Sequence, residues 1–382
     1  MIRRRRAVLA LAVAALALAA CGSDEATSTA TSTTSTTSTI TTTAAAATTS
    51  APTTAPATAS TPEDSVTPTA SEPPASSAAS SVPSSTPGGG ATVADVLALG
   101  RPAVLAHTGG EDEFPGSTMF GYAESIRAGV DMVDLNVMLT EDGVLVIQHD
   151  DTVDLLTETT GAVAEMTYAE LSQLDNAYWF TADGVLRDRP EADYLYRGVR
   201  TGQRPPPAGY TADDFAIPRM RDLVERYPTI PLNIEIEGSG EPAAGAAREV
   251  AAILREFGRL DSSVVASFDD ATVAYFHQLE PTVEMSPGYG ASAAFVLDGT
   301  PLPDGMRILQ LPPRTAGVEV LTPETIAKAH AAGYVILVWP NDRSLENRAA
   351  YDQFLRDGLD GLNINFPAQG VAAALEFVPT TT

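Results

Sequence analysis

The amino-acid sequence predicts an α/β fold, a (β/α)8 or TIM barrel, preceded by a disordered tether rich in Thr, Ser, Ala and Pro. Short apolar runs alternate with helical patterns over residues 93–382, as expected for repeated βα units. Eight such runs are present. This region of about 290 residues has the length typical of a barrel that forms one domain.

The chain begins with the pattern of an export signal. MIRRRR precedes an apolar stretch, 7–20, which at about 14 residues is shorter than the ~20 needed to span a bilayer. The following LAAC resembles the lipobox of bacterial lipoproteins. We therefore expect a lipoprotein signal peptide at 1–20, and a lipid on Cys21 that anchors the exported protein at the extracytoplasmic face of a bacterial cell membrane. The alternative is an ordinary secretory signal with a chance cysteine.

Residues 21–92 are predicted to form the tether. Nearly all of them are Thr, Ser, Ala, Pro or Gly, a composition that buries too little apolar surface to offset the entropy of ordering. The barrel is predicted to follow at 93–382. Since Cys21 is the only cysteine, no internal disulfide can stabilise the barrel, which must depend on its core.

The charge of the whole chain limits its partners. It has 23 basic and 49 acidic residues and a formal net charge of −26 at pH 7. A field of this sign repels polyanions, which excludes nucleic acid as a main partner. A small anionic substrate bound beside a cation remains compatible with it.

The elements of the barrel follow in order along the chain. We predict strands at 103–106, 132–137, 231–236, 263–266, 283–286, 307–310, 335–339 and 361–364. Helical patterns occupy 117–128, 242–257, 269–279, 323–332, 345–356 and 368–377. The turn sequence TEDG at 140–143 and the apolar VLVIQ after it predict a small hairpin appended to the second strand.

One segment interrupts this alternation. Residues 176–215 have no clear period, and their number far exceeds that of a usual βα connection. The segment is rich in aromatic residues and carries Arg187, Arg189, Arg197, Arg200 and Arg204. We interpret it as an inserted, lid-like segment and call it the insert.

Two of the four histidines follow strand patterns. His107 ends VLAH and His149 ends VLVIQH, so both are predicted at the same rim of the barrel. Histidine exchanges protons near neutral pH, and a pair suits in-line displacement, one for the nucleophile and one for the leaving group. The alternative is that they end their strands without a catalytic role. His277 and His330 lie in helical patterns and are interpreted as packing or surface residues.

Acidic and amide side chains occur as pairs on two neighbouring predicted strands. Asp134 and Asn136 are two residues apart, as are Glu235 and Glu237, so each pair points to one face of its strand. Four oxygen-bearing side chains then converge in the barrel mouth. Such a set suits Ca²⁺ or Mg²⁺.

Five stretches resemble the motifs of a known family. They are AHTGGEDEFPGST, GVDMVDLNVMLTEDGVLVIQHDDTV, IPRMRDLVERYPTIPLNIEIEG, VILVWPND and DGLNINFP. In this order they are similar to HRG...PENT, GADxIELDVxxTKDGxxVVxHDxxL, IPTLxEvL...lNIEIK, vWTVN and DGIITDxP of the glycerophosphodiester phosphodiesterases. The resemblance extends over about 99–375.

The resemblance implies a TIM-barrel enzyme that uses a divalent cation to hydrolyse glycerophosphodiesters, or related lipid headgroup diesters, to glycerol phosphate and an alcohol. His107 and His149 match the general acid/base pair of the family. The metal ligands of the family correspond to Asp134, Asn136 and Glu235. Trp339 matches an aromatic residue at the rim, where it is expected to pack against the substrate.

Several positions depart from the family pattern. The arginine after the first histidine is Thr108, the Glu of PENT is Gly116, the first metal-binding Glu is Asp134, the second acid is Asn136, and the Lys of EIK is Glu237. Two cations that face the phosphate are therefore replaced. Either the chemistry has been lost or the site has been rearranged.

We interpret the departures as a rearrangement. Glu237 restores the third carboxylate and becomes a fourth metal ligand beside the amide oxygen of Asn136. Because Ca²⁺ accepts amide oxygens and irregular geometry more readily than Mg²⁺, Ca²⁺ is favoured. Arg197 and Arg200 of the insert, with Thr108, are predicted to contact the substrate.

Two other functions stay open. A catalytically degenerate barrel would act as a surface lipoprotein that binds a small ligand, although such a protein has no need of a matched histidine pair. A related phospholipase D-like lyase would act on intact lipids, and would need an apolar rim that docks on a membrane.

Overall fold

The computed structural model describes residues 90–378. The predicted signal peptide, Cys21 and residues 21–89 of the predicted tether lie outside the described residues. Over the described part, the strands are β1 (Ala103–Ala106), β2 (Met132–Leu139), β3 (Leu145–Ile147), β4 (Phe180–Thr181), β5 (Gly184–Val185), β6 (Leu232–Ile236), β7 (Ser263–Ala266), β8 (Glu284–Met285), β9 (Ile308–Leu311), β10 (Arg314–Thr315), β11 (Val318–Glu319), β12 (Val335–Val338) and β13 (Gly361–Ile364).

Eight of these strands form a parallel barrel. Their order is β8-β7-β6-β2-β1-β13-β12-β9, and a parallel bridge between Met285 and Met306 brings the two ends of the sheet together. The predicted TIM barrel is therefore confirmed. The eight predicted strands differ from the observed ones by no more than two residues at either end.

The helices of the described residues lie between the strands. They are α1 (Val93–Leu97), α2 (Met119–Ala128), α3 (Tyr168–Leu171), α4 (Met220–Arg226), α5 (Gly240–Glu256), α6 (Asp270–Leu279), α7 (Tyr289–Asp298), α8 (Pro323–Ala331), α9 (Arg348–Arg356) and α10 (Pro367–Glu376). None of them is long and apolar enough to cross a membrane. The sequence patterns did not reveal four of these helices. Three, α1, α3 and α4, are short, and the fourth, α7, has the sequence YGASAAFVLD, which lacks a polar face from which a helical period is read.

The short helix α1 closes the barrel at the amino ends of its strands. Val93 and Val96 are buried and pack in one cluster with Leu105, Met132 and Ile308, which belong to three different strands. The polar side chains described below lie at the opposite, carboxyl end. Within residues 90–378, the site therefore lies at the end of the barrel opposite α1, and we call this carboxyl end the mouth.

Strand β3 forms the predicted hairpin with β2. The two strands pair antiparallel, with Val137 opposite Ile147. The N–H of Gln148 continues this ladder by donating to the carbonyl oxygen of Asn136 at 3.0 Å. The hairpin thereby brings the next residue, His149, over the carboxyl end of β2.

The insert is ordered against the barrel wall. It contains the small hairpin of β4 and β5 and two 3-10 turns, Glu191–Asp193 and Ala212–Phe215. Tyr196, Tyr210 and Phe215 surround the ring of Phe120 on α2 at centroid distances of 4.7 to 4.9 Å. This aromatic cluster fixes the second half of the insert to the barrel.

Candidate active site

The two histidines of the predicted pair meet at the mouth. The centroids of the His107 and His149 rings are 5.4 Å apart, and the ring planes lie at 82°. His107 follows β1 directly and His149 follows the β2–β3 hairpin. Two separate elements thus bring together the residues that were predicted to act as a pair.

The hydrogen bonds of Asn365 determine how His107 is protonated. The Asn365 Nδ2 donates to Glu111 Oε1 at 2.9 Å and to Asp112 Oδ2 at 3.0 Å. Because carboxylates only accept, the amide orientation is fixed, and Asn365 Oδ1 faces His107 Nδ1 at 2.9 Å. His107 Nδ1 must therefore carry a hydrogen, and Nε2 is the atom that gains or loses a proton.

Glu111 is the main acid beside His107. Its Oε1 lies 3.5 Å from His107 Nδ1, and its Oε2 accepts a hydrogen bond from Thr108. Burial lowers the pKa of His107, but the attraction of Glu111, Asp134 and Glu346 outweighs burial and raises it to about 10. Burial raises the pKa of Glu111, but the pull of His107 prevails and lowers it to about 2.

His149 is held in the same way by its neighbour in the sequence. Its Nδ1 lies 2.8 Å from Asp150 Oδ1, so its Nε2 is also the atom that exchanges protons. Partial burial and the charge on His107 lower the pKa of His149. The hydrogen bond to Asp150 and the attraction of Glu111 and Glu237 prevail and raise this pKa to about 9.

The predicted acid pair lies beside the histidines and contacts Asn136. Asn136 Nδ2 donates to Glu237 Oε1 at 2.7 Å and lies 3.5 Å from Glu235 Oε2. Burial, followed by repulsion from Glu237 and Asp134, raises the pKa of Glu235 well above its usual range. Burial also raises the pKa of Glu237. The mouth thus concentrates acidic groups at low exposure to water, where burial and mutual repulsion oppose their ionisation.

Asp134 lies deeper, in a chain of polar side chains inside the barrel. Its Oδ1 accepts a hydrogen bond from Asn233 Nδ2, and Asn233 exchanges two further hydrogen bonds with Gln310, at 2.9 and 3.1 Å. Asp134 is 2 % exposed. Its charge nevertheless acts on both His107 and Glu235, so it belongs to the electrostatic environment of the site.

The predicted ligand set fits a divalent cation in its chemistry. Within residues 90–378, neither Glu235 nor Glu237 forms an ion pair with a Lys or Arg, and the buried Asn136 Oδ1 has no hydrogen-bond partner. Unneutralised carboxylates and a free amide oxygen are hard-oxygen ligands. No group of three His, Cys, Asp or Glu side chains in the same residues is close enough to hold a metal ion. A site that includes the amide oxygen requires the Asn136 side chain to turn, because its Nδ2 now faces the two glutamates.

Thr108 and Trp339 occupy the predicted rim positions. Thr108 has a left-handed backbone, with φ of 46°, and is buried, its hydroxyl donating to Glu111 at 3.2 Å. Trp339 follows β12 and is half-buried, and its ring contacts Phe268, 45 % exposed, at a centroid distance of 5.8 Å. Phe268 follows β7, so this aromatic pair spans the side of the mouth above β8 and β9.

The two insert arginines that were predicted to contact the substrate, Arg197 and Arg200, make contacts away from the histidines. Arg197 lies over the ring of Tyr194 at 3.4 Å and donates to the carbonyl oxygen of Tyr178 at 3.0 Å. Arg200 donates to the carbonyl oxygen of Ser172 at 2.9 Å. Among the described residues, none of the hydrogen bonds or ion pairs of either arginine reaches the acids or histidines of the mouth.

The sequence did not single out three of the residues that shape the site. These are Glu111, Asn365 and Glu346, whose Oε2 accepts from the backbone N–H of Asn365 at 3.0 Å and whose pKa is raised to about 7 by burial. Glu111 lies in the motif that follows β1, so its position was a usable signal, whereas Asn365 follows β13 but an amide there gives none. Glu346 lies between a turn and a helix, where no local pattern points to it.

Comparisons with known proteins agree with this geometry. The model of the glycerophosphoryl diester phosphodiesterase family matches residues 107–369. A glycerophosphodiester phosphodiesterase of Bacillus altitudinis is 26% identical over 276 residues, which cover 70% of this chain and 96% of that protein.

Solved structures show the same fold. A phosphodiesterase from Oleispira antarctica, in complex with the product sn-glycerol-3-phosphate, has a TM-score of 0.54 at 20% identity and covers 72% of this chain and 98% of its own. The glycerophosphoryl diester phosphodiesterase domain of a Mycobacterium tuberculosis protein has a TM-score of 0.54 at 19% identity, with coverage of 72% and 100%.

The family match extends over most of the chain and includes both histidines, all four predicted metal ligands and Asn365. The predicted class of enzyme, a phosphoric diester hydrolase, is confirmed at the level of the family. Members of this family generally depend on a divalent cation. The chain belongs to the glycerophosphoryl diester phosphodiesterase family.

Proposed function

We propose that the protein hydrolyses glycerophosphodiesters, or related lipid headgroup diesters, to glycerol phosphate and an alcohol. The observation that carries the proposal is the histidine pair. His107 and His149 lie 5.4 Å apart, each with Nδ1 occupied by an acceptor and Nε2 left to exchange a proton. A protein that only binds its ligand has no use for two imidazoles held in this way.

The two histidines divide the proton transfers between them. His149 is the more exposed of the two, 45% against 22% of its side chain, whereas the charge of Glu111 holds His107 in its charged form. We assign His149 as the base that activates the attacking water. His107 stays an imidazolium beside the charge of Glu111, and it passes the proton on its Nε2 to the oxygen of the departing alcohol.

The cation of the site would be held by Asp134, Asn136, Glu235 and Glu237. When bound, it supplies positive charge that stabilises the phosphoryl oxygens as their negative charge increases. We propose Ca²⁺ rather than Mg²⁺, because an amide oxygen among carboxylates suits the flexible coordination of Ca²⁺. The chain itself contributes the positions of these side chains: Asp134 and Asn136 on β2, Glu235 on the adjacent β6, and Glu237 directly after β6.

Substrate contacts are proposed at Thr108, Trp339, Arg197 and Arg200. Trp339 is placed to pack its ring on carbon atoms of the glycerol or alcohol, since it lies at the rim beside Phe268. Arg197 and Arg200 must release hydrogen bonds within the protein to reach a phosphate. If Arg197→Ala and Arg200→Ala leave KM unchanged, the phosphate is not bound by the insert.

Activity on a panel of glycerophosphodiesters tests the proposal. We expect the purified protein to release choline or ethanolamine with Ca²⁺ and not with chelator, and His149→Ala to lose activity by at least about 100-fold. His330→Ala is the matched control, because within residues 90–378 the side chain of this exposed histidine of α8 pairs with Asp360 and with none of the site residues. A protein that binds the cation but turns over no diester would support the binding lipoprotein instead.

We propose, from the sequence alone, that the protein is exported and lipid-anchored through Cys21. The support is the charged and apolar leader followed by LAAC. Cys21→Ser should then move the protein from the membrane fraction to the soluble fraction of the cells that export it. An unchanged distribution would contradict the anchor.

A further inference from the structure

The tip of the insert hairpin contacts the hydrogen-bond network behind His107. The carbonyl oxygen of Asp183, between β4 and β5, accepts a hydrogen bond from Arg343 Nη2 at 2.7 Å. The same guanidinium forms an ion pair with Asp112, whose side chain is only 4 % exposed. Arg343 belongs to the segment after β12, so three separate parts of the chain meet at this point.

Gly184 allows this close approach. Its φ is 90°, and a side chain added there would clash with Arg343 Nη2 and lie 2.5 Å from Asp112 Oδ1. The hairpin therefore lies directly against the ion pair. By contrast, Gly209 has the same φ within the insert, but nothing lies within 4 Å of the position that its side chain would take.

Asp112 connects this junction to His107. It accepts one of the two hydrogens of Asn365 Nδ2 at 3.0 Å, and Glu111 accepts the other at 2.9 Å. These two carboxylates together keep the oxygen of Asn365 turned toward His107 Nδ1. If Asp112 moves, one buried N–H loses its acceptor and the amide is no longer held in one orientation.

We propose that Asp112 and Arg343 are positioning residues, through which the docked insert fixes the orientation of His107. Gly184 provides the close fit at the junction. The insert then acts on the reaction through the tip of its hairpin, at Asp183 and Gly184. This inference rests on the proposed function as far as its effect on turnover is concerned. The contacts themselves do not depend on it.

Gly184→Ala and Gly209→Ala form the matched test. Both variants place a side chain at φ of 90°, so they share the backbone strain, but only Gly184→Ala disturbs the junction. We expect Gly184→Ala to lower kcat by about 10- to 100-fold with KM within about 2-fold of wild type, since a small misplacement of a reacting group has effects of this size. Gly209→Ala should keep both constants.

Arg343→Gln provides a second variant that leaves the backbone intact. Arg343 is half-exposed, so its replacement is tolerated by the fold. We expect it also to lower kcat rather than raise KM. If Gly184→Ala and Arg343→Gln both retain wild-type kcat, the positioning role is overturned.

A spectroscopic measurement separates this inference from the proposed function. The chain has only four histidines, so the side-chain ¹H–¹⁵N correlations of His107 can be assigned by substitution. Gly184→Ala and Arg343→Gln should move the His107 signals, and Gly209→Ala should not. If these signals move while the wild type turns over no diester, the proposed function is wrong and the positioning of His107 by the insert is supported. If the signals move in neither variant, the positioning role is wrong, even if the enzyme is active.

Discussion

Replacing the acid beside His107 tests the electrostatics of the site most directly. Glu111→Gln keeps an oxygen that can accept from Asn365 Nδ2 but removes the charge that attracts the imidazolium. The pKa of His107 should therefore fall well below about 10, because burial lowers it and its strongest opposing interaction is lost. Glu113→Gln is the matched control on the same loop, since in the described part of the chain the Glu113 side chain accepts from the N–H of Ala368 and does not contact His107.

The size of the effect follows from the two partners. The pKa of Glu111 falls from its ordinary 4.5 to about 2, which corresponds to about 3 kcal/mol of favourable interaction in the folded state. The rise of the His107 pKa from 6.5 to about 10 is larger, but it includes the attraction of Asp134 and Glu346. The Glu111 shift also includes burial, His149 and Thr108, so it measures the ionised Glu111 in the whole site rather than the pair alone. We expect Glu111→Gln, which removes all of these interactions of the charge, to cost about 3 kcal/mol of stability.

The pKa shifts of Glu111 and His107 also determine the pH range in which Glu111→Gln lowers the unfolding free energy. The Glu111 pKa is lowered, so its contribution is present above pH 4.5 and is lost as the pH falls through about 2. The His107 pKa is raised, so its contribution is present below pH 6.5 and is lost as the pH rises through about 10. The full difference in unfolding free energy between wild type and variant is therefore expected between pH 4.5 and 6.5.

Two measurements check this prediction. Histidine NMR titration gives the pKa of His107 in each protein, and urea unfolding at pH 5.5 gives the difference in unfolding free energy. A His107 pKa that stays at about 10 in Glu111→Gln would refute the reasoning, whatever the stability. An equal fall in Glu113→Gln would show that the effect belongs to the charge of the whole loop.

Three further predictions concern other parts of the site and the insert. Asp150→Asn should lower the pKa of His149 from about 9, because the hydrogen bond to Asp150 is the largest of the effects that raise it; NMR titration measures this. Asp175 is buried, and burial raises its pKa from the ordinary 3.8 to about 6. The unfolding free energy of the wild type should therefore fall by about 3 kcal/mol as the pH rises from 3.8 to 6. Urea unfolding at several pH values should show this fall in the wild type and not in Asp175→Asn. Phe268→Ala and Trp339→Ala should each raise KM several-fold with little change in kcat, if the aromatic pair binds the substrate; steady-state kinetics with diesters of different alcohols decides this.

The barrel was predictable because its signals are local and repeated. Each of the eight strands is a short apolar run between helical patterns, and burial on both faces requires such runs in a parallel sheet. The helix α7 was not predicted, because its sequence lacks such a local signal. Its residues are apolar or small nearly all round, so the sequence carries no helical period there.

The candidate site was predictable only where a side chain lies in or just after the carboxyl-terminal part of a predicted strand. This holds for His107, His149, Asn136 and Glu235, and the structure brings the two histidines together and Asn136 next to Glu235. Asn365 also follows a strand, but an amide alone gives no chemical signal. Its function depends on Glu111 and Asp112, which are more than 250 residues away in the chain, and only the folded barrel reveals that connection.

The amide of Asn365 gives the site a property that an acid at the same position would lack. A carboxyl group accepts a hydrogen bond when ionised and donates one when protonated, so its relation to an imidazole changes as the solution becomes acidic. An amide does not titrate over the range in which proteins stay folded. The hydrogen bond from His107 Nδ1 to Asn365 Oδ1 therefore runs in one direction at every working pH, and the free lone pair of the neutral ring is always on Nε2.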